Sequence, residues 1–182
     1  MTAPESEANR QDDLIDRLAS HGIRYLQGGG REHTSSIAPL APLLTELARA
    51  ASSRLRSSLI ALLLRHPEHV PVVEAVARDL AAEDPAGRLL LLSIVVAAAL
   101  QNEWSFALDL YMPSRVCIEA DHLAAHFGLP WPRQDFGRPC LAAAAELLRK
   151  DRLFPVNYEA DWENAARRLL SQLAQEARAR GA

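Results

Sequence analysis

Apolar residues recur three and four positions apart through most of the chain, which is the spacing of one face of an α-helix. The clearest case is residues 43–64, LLTELARAASSRLRSSLIALLL, which predict two short helices joined by a polar corner at Ser52 and Ser53. A related pattern returns about thirty residues later as VVEAVARDLAAEDPAGRLLLLSIVV, residues 72–96. Because one helical hairpin cannot bury its own apolar face, the repeat predicts two hairpins that pack side by side.

Applied to the whole chain, the same periodicity predicts an all-α bundle of about seven or eight helices. The predicted helices cover 12–26, 38–51, 54–65, 67–80, 86–110, 115–126, 140–150 and 159–178. The first half of 86–110 is apolar on every side, so we expect it to be the central helix, with a break near Gln101. Gly22 weakens the first helix and predicts a break there.

Residues 38–100 resemble a HEAT-like α-helical repeat. The matching positions are Leu43, Leu44 and Leu47, then Leu59, Ile60, Leu62 and Leu63, and in the second copy Val72, Val73 and Val76, then Leu91, Leu92, Val95 and Val96, with Arg88 in the place of Arg56. The resemblance implies helical surfaces that serve binding, and it carries over no fixed site residues. The period of about 29 to 32 residues is shorter than the usual 40 to 47, so a compact bundle with an incidental repeat stays open.

The domain organisation follows from these patterns. Residues 1–10 are small and polar, and we expect them to be disordered. Residues 11–182 form a single all-helical domain, in which 11–112 are the HEAT-like part and 113–182 a smaller helical subdomain. The loop at 129–139 holds three prolines and two aromatic residues, so it is predicted to be structured.

Composition narrows the function classes. The net charge is −3, which favours neither nucleic acid nor membranes as partners of the whole surface. The longest apolar run, residues 89–100, is too short to cross a bilayer. Cys117 and Cys140 have no second cysteine at metal spacing, and we expect both to be reduced, buried, structural thiols of a cytoplasmic protein. The chain is rich in Arg and Ala, with one lysine, as in a bacterial protein from a GC-rich genome.

The glycine-rich segment at 28–36 is the first candidate for binding. Its glycines let the backbone approach a ligand, and the following helix N-terminus attracts anions. The segment lacks the Gly-Lys-Ser/Thr of a P-loop. It is interpreted as a contact for a protein partner or an anion, with an ordinary helix linker as the alternative; the candidate residues are Gly28, Gly29, Gly30, Arg31, His33 and Thr34.

The histidines do not form a recognisable metal motif. His122 and His126 stand four residues apart on one predicted helix, but HLAAH lacks the glutamate of the H-E-x-x-H zinc motif. His66 and His69 flank Pro67 at a helix junction, where we expect them to cap carbonyl groups. The sequence therefore predicts no metal site and no cofactor.

Aromatic residues are scarce, at 5% of the chain, and several lie in the loops of the last third. Since Trp and Tyr anchor protein interfaces, we interpret these residues as the lining of a partner groove. A small satellite core beneath two loops is the alternative. The groove candidates are Trp131, Phe136, Tyr158 and Trp162.

The chain has no nucleophile elbow and no paired carboxylates beside a base, so no catalytic residues are predicted. We expect a non-enzymatic accessory subunit that binds a protein partner, or a second copy of itself, through helical surfaces and loops. One alternative is an antitoxin-like partner that neutralises an enzyme. Another is a small nucleotide-binding, anion-binding or nucleic-acid-binding helical protein.

Overall fold

A computed structural model describes residues 3–26, 37–82, 84–150 and 158–181. Within these residues the structure holds nine α-helices and no strand, which confirms the predicted all-α fold. The helices are α1 (Ala3–Ser20), α2 (Leu40–Arg49), α3 (Ser53–Arg65), α4 (Val70–Asp79), α5 (Pro85–Glu103), α6 (Ser105–Tyr111), α7 (Asp121–His126), α8 (Arg138–Lys150) and α9 (Tyr158–Gly181). Short 3₁₀ turns at Pro67–His69 and Gln134–Gly137 precede α4 and α8.

Two helices share the centre of the fold, rather than α5 alone. Most of α5 is buried, as predicted, but α3 is buried without interruption from Leu55 to Leu64. The reason is that α3 lies against α5 and also against the long C-terminal helix α9. Its buried serines keep their hydroxyls hydrogen-bonded, since Ser58 Oγ donates to the carbonyl of Leu55 at 2.5 Å.

The two predicted hairpins lie side by side. Helix α2 packs against α4, and α3 packs against α5. The buried Arg56 donates to the carbonyls of Ala50 and Ala51, which fastens the corner between α2 and α3. Asp84 caps α5 by accepting from the backbone N–H of Ala86 at 2.8 Å. The HEAT-like assignment and the division of the domain at residue 112 stay predictions.

The first helix differs from its predicted bounds at both ends. It begins at Ala3, so the helix includes residues 3–10, for which the sequence led us to expect disorder. Those residues include strong helix formers, and a proline in the first turn does not oppose a helix. The helix ends at Ser20, and Gly22 adopts a φ of 80°, which confirms the predicted break.

Two further boundaries are set by side chains of α5. The break in the predicted helix 86–110 falls at Trp104, between α5 and α6. The helix predicted over 115–126 begins only at Asp121, because Gln101 hydrogen-bonds the preceding backbone in a non-helical form. Its amide donates to the carbonyl of Val116 at 2.9 Å and its oxygen accepts from the N–H of Ile118 at 2.8 Å.

Helix α9 is fastened to the turn that follows α1 by the buried side chain of Gln172. Its oxygen accepts from the N–H groups of Arg24 and Tyr25 at 2.9 and 3.2 Å. Its amide donates to the carbonyl of Gly22 at 2.6 Å and to Glu176 at 2.7 Å. This one residue therefore joins segments about 150 positions apart in the chain.

Among the described residues, α5 is the one helix whose length and composition would let it cross a membrane. In the fold, 78% of its apolar window is buried, as in the core helix of a globular domain.

Candidate functional site

Exposed apolar side chains concentrate in one part of the chain. Seven large hydrophobic residues are exposed among those described, and five of them belong to residues 106–136. These five, which we call the α5-end surface, are Phe106, Leu110, Val116, Trp131 and Phe136. Single exposed apolar residues are common, but a concentration of aromatic ones is typical of a binding surface.

The segments that carry this surface are tied to the C-terminal end of α5. Gln101 holds the backbone at Val116, as described above. The next residue, Asn102, donates to the carbonyl of Pro132 at 3.4 Å. The short helix α6 follows α5 directly, and its Phe106 and Leu110 stand four residues apart on one face, 87% and 67% exposed. A buried helix end thus positions three exposed segments.

The loop before α8 has an unusual backbone. Asp135 and Phe136 have φ values of 45° and 57°, and Gly137 follows with 79°. Asp enters the left-handed region at modest cost, but a bulky residue such as Phe is rarely found there. The glycine is required, because a Cβ at Gly137 would lie 2.4 Å from the carbonyl oxygen of Ala99 on α5.

This backbone leaves Phe136 71% exposed. A left-handed conformation costs an ordinary side chain about 1–2 kcal/mol. Burial of the phenyl ring would offset such a cost, yet most of the ring faces solvent. Contacts within the chain therefore offset little of the backbone strain at Phe136.

A cavity of about 330 Å³ lies beside this loop, between the ends of α5, α8 and α9. Three carboxylates line it, from Glu103, Glu159 and Glu163, and Trp162 forms part of its wall. Arg138 Nε lies 3.4 Å from Glu103 Oε1. Within the described residues, the buried Glu103 Oε2 has no hydrogen-bond partner. With three carboxylates and one guanidinium in its lining, the cavity therefore suits a basic group.

The four predicted groove residues fall into two groups. Trp131 is 65% exposed and lies with Phe136 in one loop. Tyr158 and Trp162 are buried, at 6% and 5% exposed, and their rings are 5.7 Å apart at the start of α9. Trp162 lines the cavity, whereas Trp131 and Phe136 are not among its lining residues. The structure does not bring all four onto one groove, because Tyr158 and Trp162 pack into the core.

The sequence interpretation missed Phe106 and Leu110. It placed them on the amphipathic second half of one long helix, whose apolar face would be buried. The break at Trp104 restarts the helix, and the buried residue of α6 is then Leu108. The sequence signal for their exposure was that this short segment has apolar residues on opposite faces, which cannot both be buried.

The remaining candidates are placed as follows. The glycine-rich segment at 28–36 lies outside the described residues. The Nε2 of His122 is 3.2 Å from Glu74, and the ring of His126 packs edge-on against Phe127. The expectation that His66 caps a carbonyl is confirmed: its Nε2 lies 2.9 Å from the carbonyl oxygen of His21.

Comparison of the chain with protein-family models, curated proteins and solved structures finds no match in any of the three.

Proposed function

We propose that this protein is a non-enzymatic accessory subunit that binds a protein partner through the α5-end surface. The observation that carries the proposal is the exposed Phe136 ring on a left-handed backbone. Its conformation is unfavourable and its ring is poorly buried in the free protein. Both costs are offset if the ring enters an apolar pocket of a partner.

The neighbouring residues support the same use. Trp131 and Phe106 are exposed aromatics, and aromatic side chains supply much of the binding energy at interfaces. A single anchor of this kind typically contributes about 2 kcal/mol or more, which is roughly a 30-fold change in affinity.

The cavity beside the loop indicates the chemistry of the partner. Glu103, Glu159 and Glu163 provide negative charge next to an apolar wall. A partner segment with an apolar pocket for Phe136 and an adjacent Arg or Lys would complement both features. The basic group would be attracted by the three carboxylates that line the cavity.

The test compares three single variants in one assay. Trp131→Ala and Phe136→Ala remove exposed rings from the α5-end surface, whereas Val72→Ala trims an exposed apolar residue of α4. Proteins captured from an extract of the native cells are identified, purified and titrated against each variant by calorimetry. We expect the first two variants to weaken binding by at least about tenfold and the Val72 variant to leave it within about twofold.

Three results would count against the proposal. The first is equal affinity of all three variants for the purified partner. The second is a wild-type chain that stays monomeric and partnerless in its native extract. The third is self-association that the two aromatic variants abolish, which would make this surface a contact between copies of the chain.

A further inference from the structure

A second site lies at the junction of α3 and α4, and the cavity beside it is also lined by Val116 of the α5-end surface. The 3₁₀ turn Pro67–His69 brings together side chains from His66, Glu68 and His69. One ligand atom from each lies within 4.8 Å of the other two. The rings of His66 and His69 are stacked, with centroids 5.0 Å apart.

The hydrogen bonds of His66 require a cation at this cluster. Its Nε2 faces the carbonyl oxygen of His21 at 2.9 Å, and a carbonyl can only accept, so Nε2 carries the hydrogen. In the neutral ring, Nδ1 then has a lone pair. That lone pair lies 2.8 Å from the Glu68 carboxylate, which is also an acceptor. Two lone pairs at this distance repel unless a proton or a metal ion lies between them.

We propose that the cation is a divalent metal of the zinc class, held by His66, Glu68 and His69. A proton would serve only the pair formed by His66 and Glu68. The ring of His69 adds a third donor that a proton would leave unused. Imidazole nitrogens with one carboxylate are a ligand set that zinc accepts.

The geometry is compatible with coordination. With bonds of about 2.0–2.1 Å, tetrahedral donors lie roughly 3.3 Å apart. The donors of His66 and Glu68, which are 2.8 Å apart, would separate by about 0.5 Å, and the longer donor distances would shorten by at most about 1.5 Å. The exposed side chain of Glu68 helps to accommodate these shifts. The hydrogen bond from His66 Nε2 to the carbonyl of His21 is one that the non-coordinating nitrogen of a metal-bound histidine commonly makes, and it fixes the orientation of the ring. A solvent molecule would take the fourth position.

The surroundings do not oppose a cation. A cavity of about 330 Å³ opens beside Glu68 and is also lined by Arg65 and Arg115. Each arginine has a carboxylate partner, with Arg65 3.1 Å from Glu176 and Arg115 2.9 Å from Asp109. Their charges are therefore balanced locally. A bound metal would fasten the α3–α4 junction at a point where His66 already contacts the end of α1.

The experiment titrates zinc into tag-free, metal-stripped protein by calorimetry. Cys117 is exposed, so the prediction that it is buried is wrong. All variants carry Cys117→Ser, since an exposed thiol can bind zinc by itself. Glu68→Gln and His69→Asn each remove one ligand and keep the hydrogen bond of His66 to His21. The matched control is His122→Asn, which alters an exposed histidine that also contacts a glutamate.

We expect one zinc ion per chain in the Cys117→Ser protein and in the His122 control. Each ligand variant should bind zinc at least about tenfold more weakly, and zinc should raise Tm less than in the control. Cobalt should give the intense visible absorption of a tetrahedral site. Circular dichroism of the stripped proteins checks that the variants are folded.

Three outcomes would overturn the site. One is no binding up to about 1 mM zinc, a limit that corresponds to roughly 4 kcal/mol of binding free energy. Another is unchanged affinity in both ligand variants. A His66 ring that carries hydrogen on both nitrogens in zinc-saturated protein, as seen by ¹⁵N NMR, would likewise identify the cation as a proton.

Discussion

The left-handed backbone at Phe136 predicts an unusual order of stability between two truncations of the same side chain. Phe136→Ala and Phe136→Gly both remove the ring, so the loss of its partial burial cancels between them. With φ at 57° and ψ at 27°, Ala retains a strain of about 1–2 kcal/mol that Gly does not have. The larger entropy of Gly in the unfolded chain offsets about 0.5–1 kcal/mol of this difference.

Phe136→Gly should therefore be more stable than Phe136→Ala by roughly 0.75 kcal/mol, within a range of about 0–1.5 kcal/mol. For a chain of this size the central value corresponds to a Tm higher by roughly 1–4 °C. The assay is thermal and urea unfolding of both variants, followed by circular dichroism. Because both lack the ring, both should weaken partner binding by the same factor.

The same exchange at Phe106 is the matched control. Phe106 is exposed like Phe136 but lies within the helix α6. There Gly should be less stable than Ala by about 1 kcal/mol, because Gly disfavours the helical backbone. The reasoning is refuted if Phe136→Gly unfolds more easily than Phe136→Ala, since the strain at this residue would then be negligible.

The remaining predictions concern the fastening of α9 and the two thiols. Gln172→Leu should destabilise the fold by about 2–4 kcal/mol in urea unfolding, because it leaves three backbone groups of the turn after α1 without their partner; a loss below about 1 kcal/mol would contradict this. Burial raises the pKa of Glu176, but hydrogen bonds from Gln172 and Arg65 outweigh it and lower the pKa overall. The stabilisation of the fold by the Glu176 carboxylate is therefore fully present above its unfolded pKa of 4.5, and it is lost as pH falls through the lower pKa of the folded state. Glu176→Gln should flatten the dependence of folding stability on pH in that window and leave its shape between pH 6 and 8 unchanged. Burial raises the pKa of Cys140 to about 11, so a thiol reagent should modify one cysteine, Cys117, in the native protein, and rapid modification of both would show that α8 opens.

The helices were largely predictable because their signals are local. The apolar run at 59–64 and the proline after Asp84 indicate α3 and the start of α5 without any knowledge of the fold. The same local signals fail where a distant side chain decides. Residues 115–120 have a plausible helical pattern, yet Gln101 forms hydrogen bonds with two of their backbone groups and holds this segment in a non-helical conformation.

The candidate sites were less predictable for the same reason. Trp131 and Phe136 drew attention as aromatics in a proline-rich loop, but nothing local predicts that Gly137 touches Ala99 and turns the phenyl ring outward. His66 is a sharper case. Its neighbours at 68 and 69 are visible in the sequence, whereas the carbonyl that fixes its tautomer belongs to His21, 45 positions earlier. Without that contact, either tautomer of His66 would be possible, and the three side chains would be those of an ordinary helix junction. With it, the Nδ1 lone pair must face a carboxylate, and the cluster acquires a requirement for a cation that no spacing rule expresses.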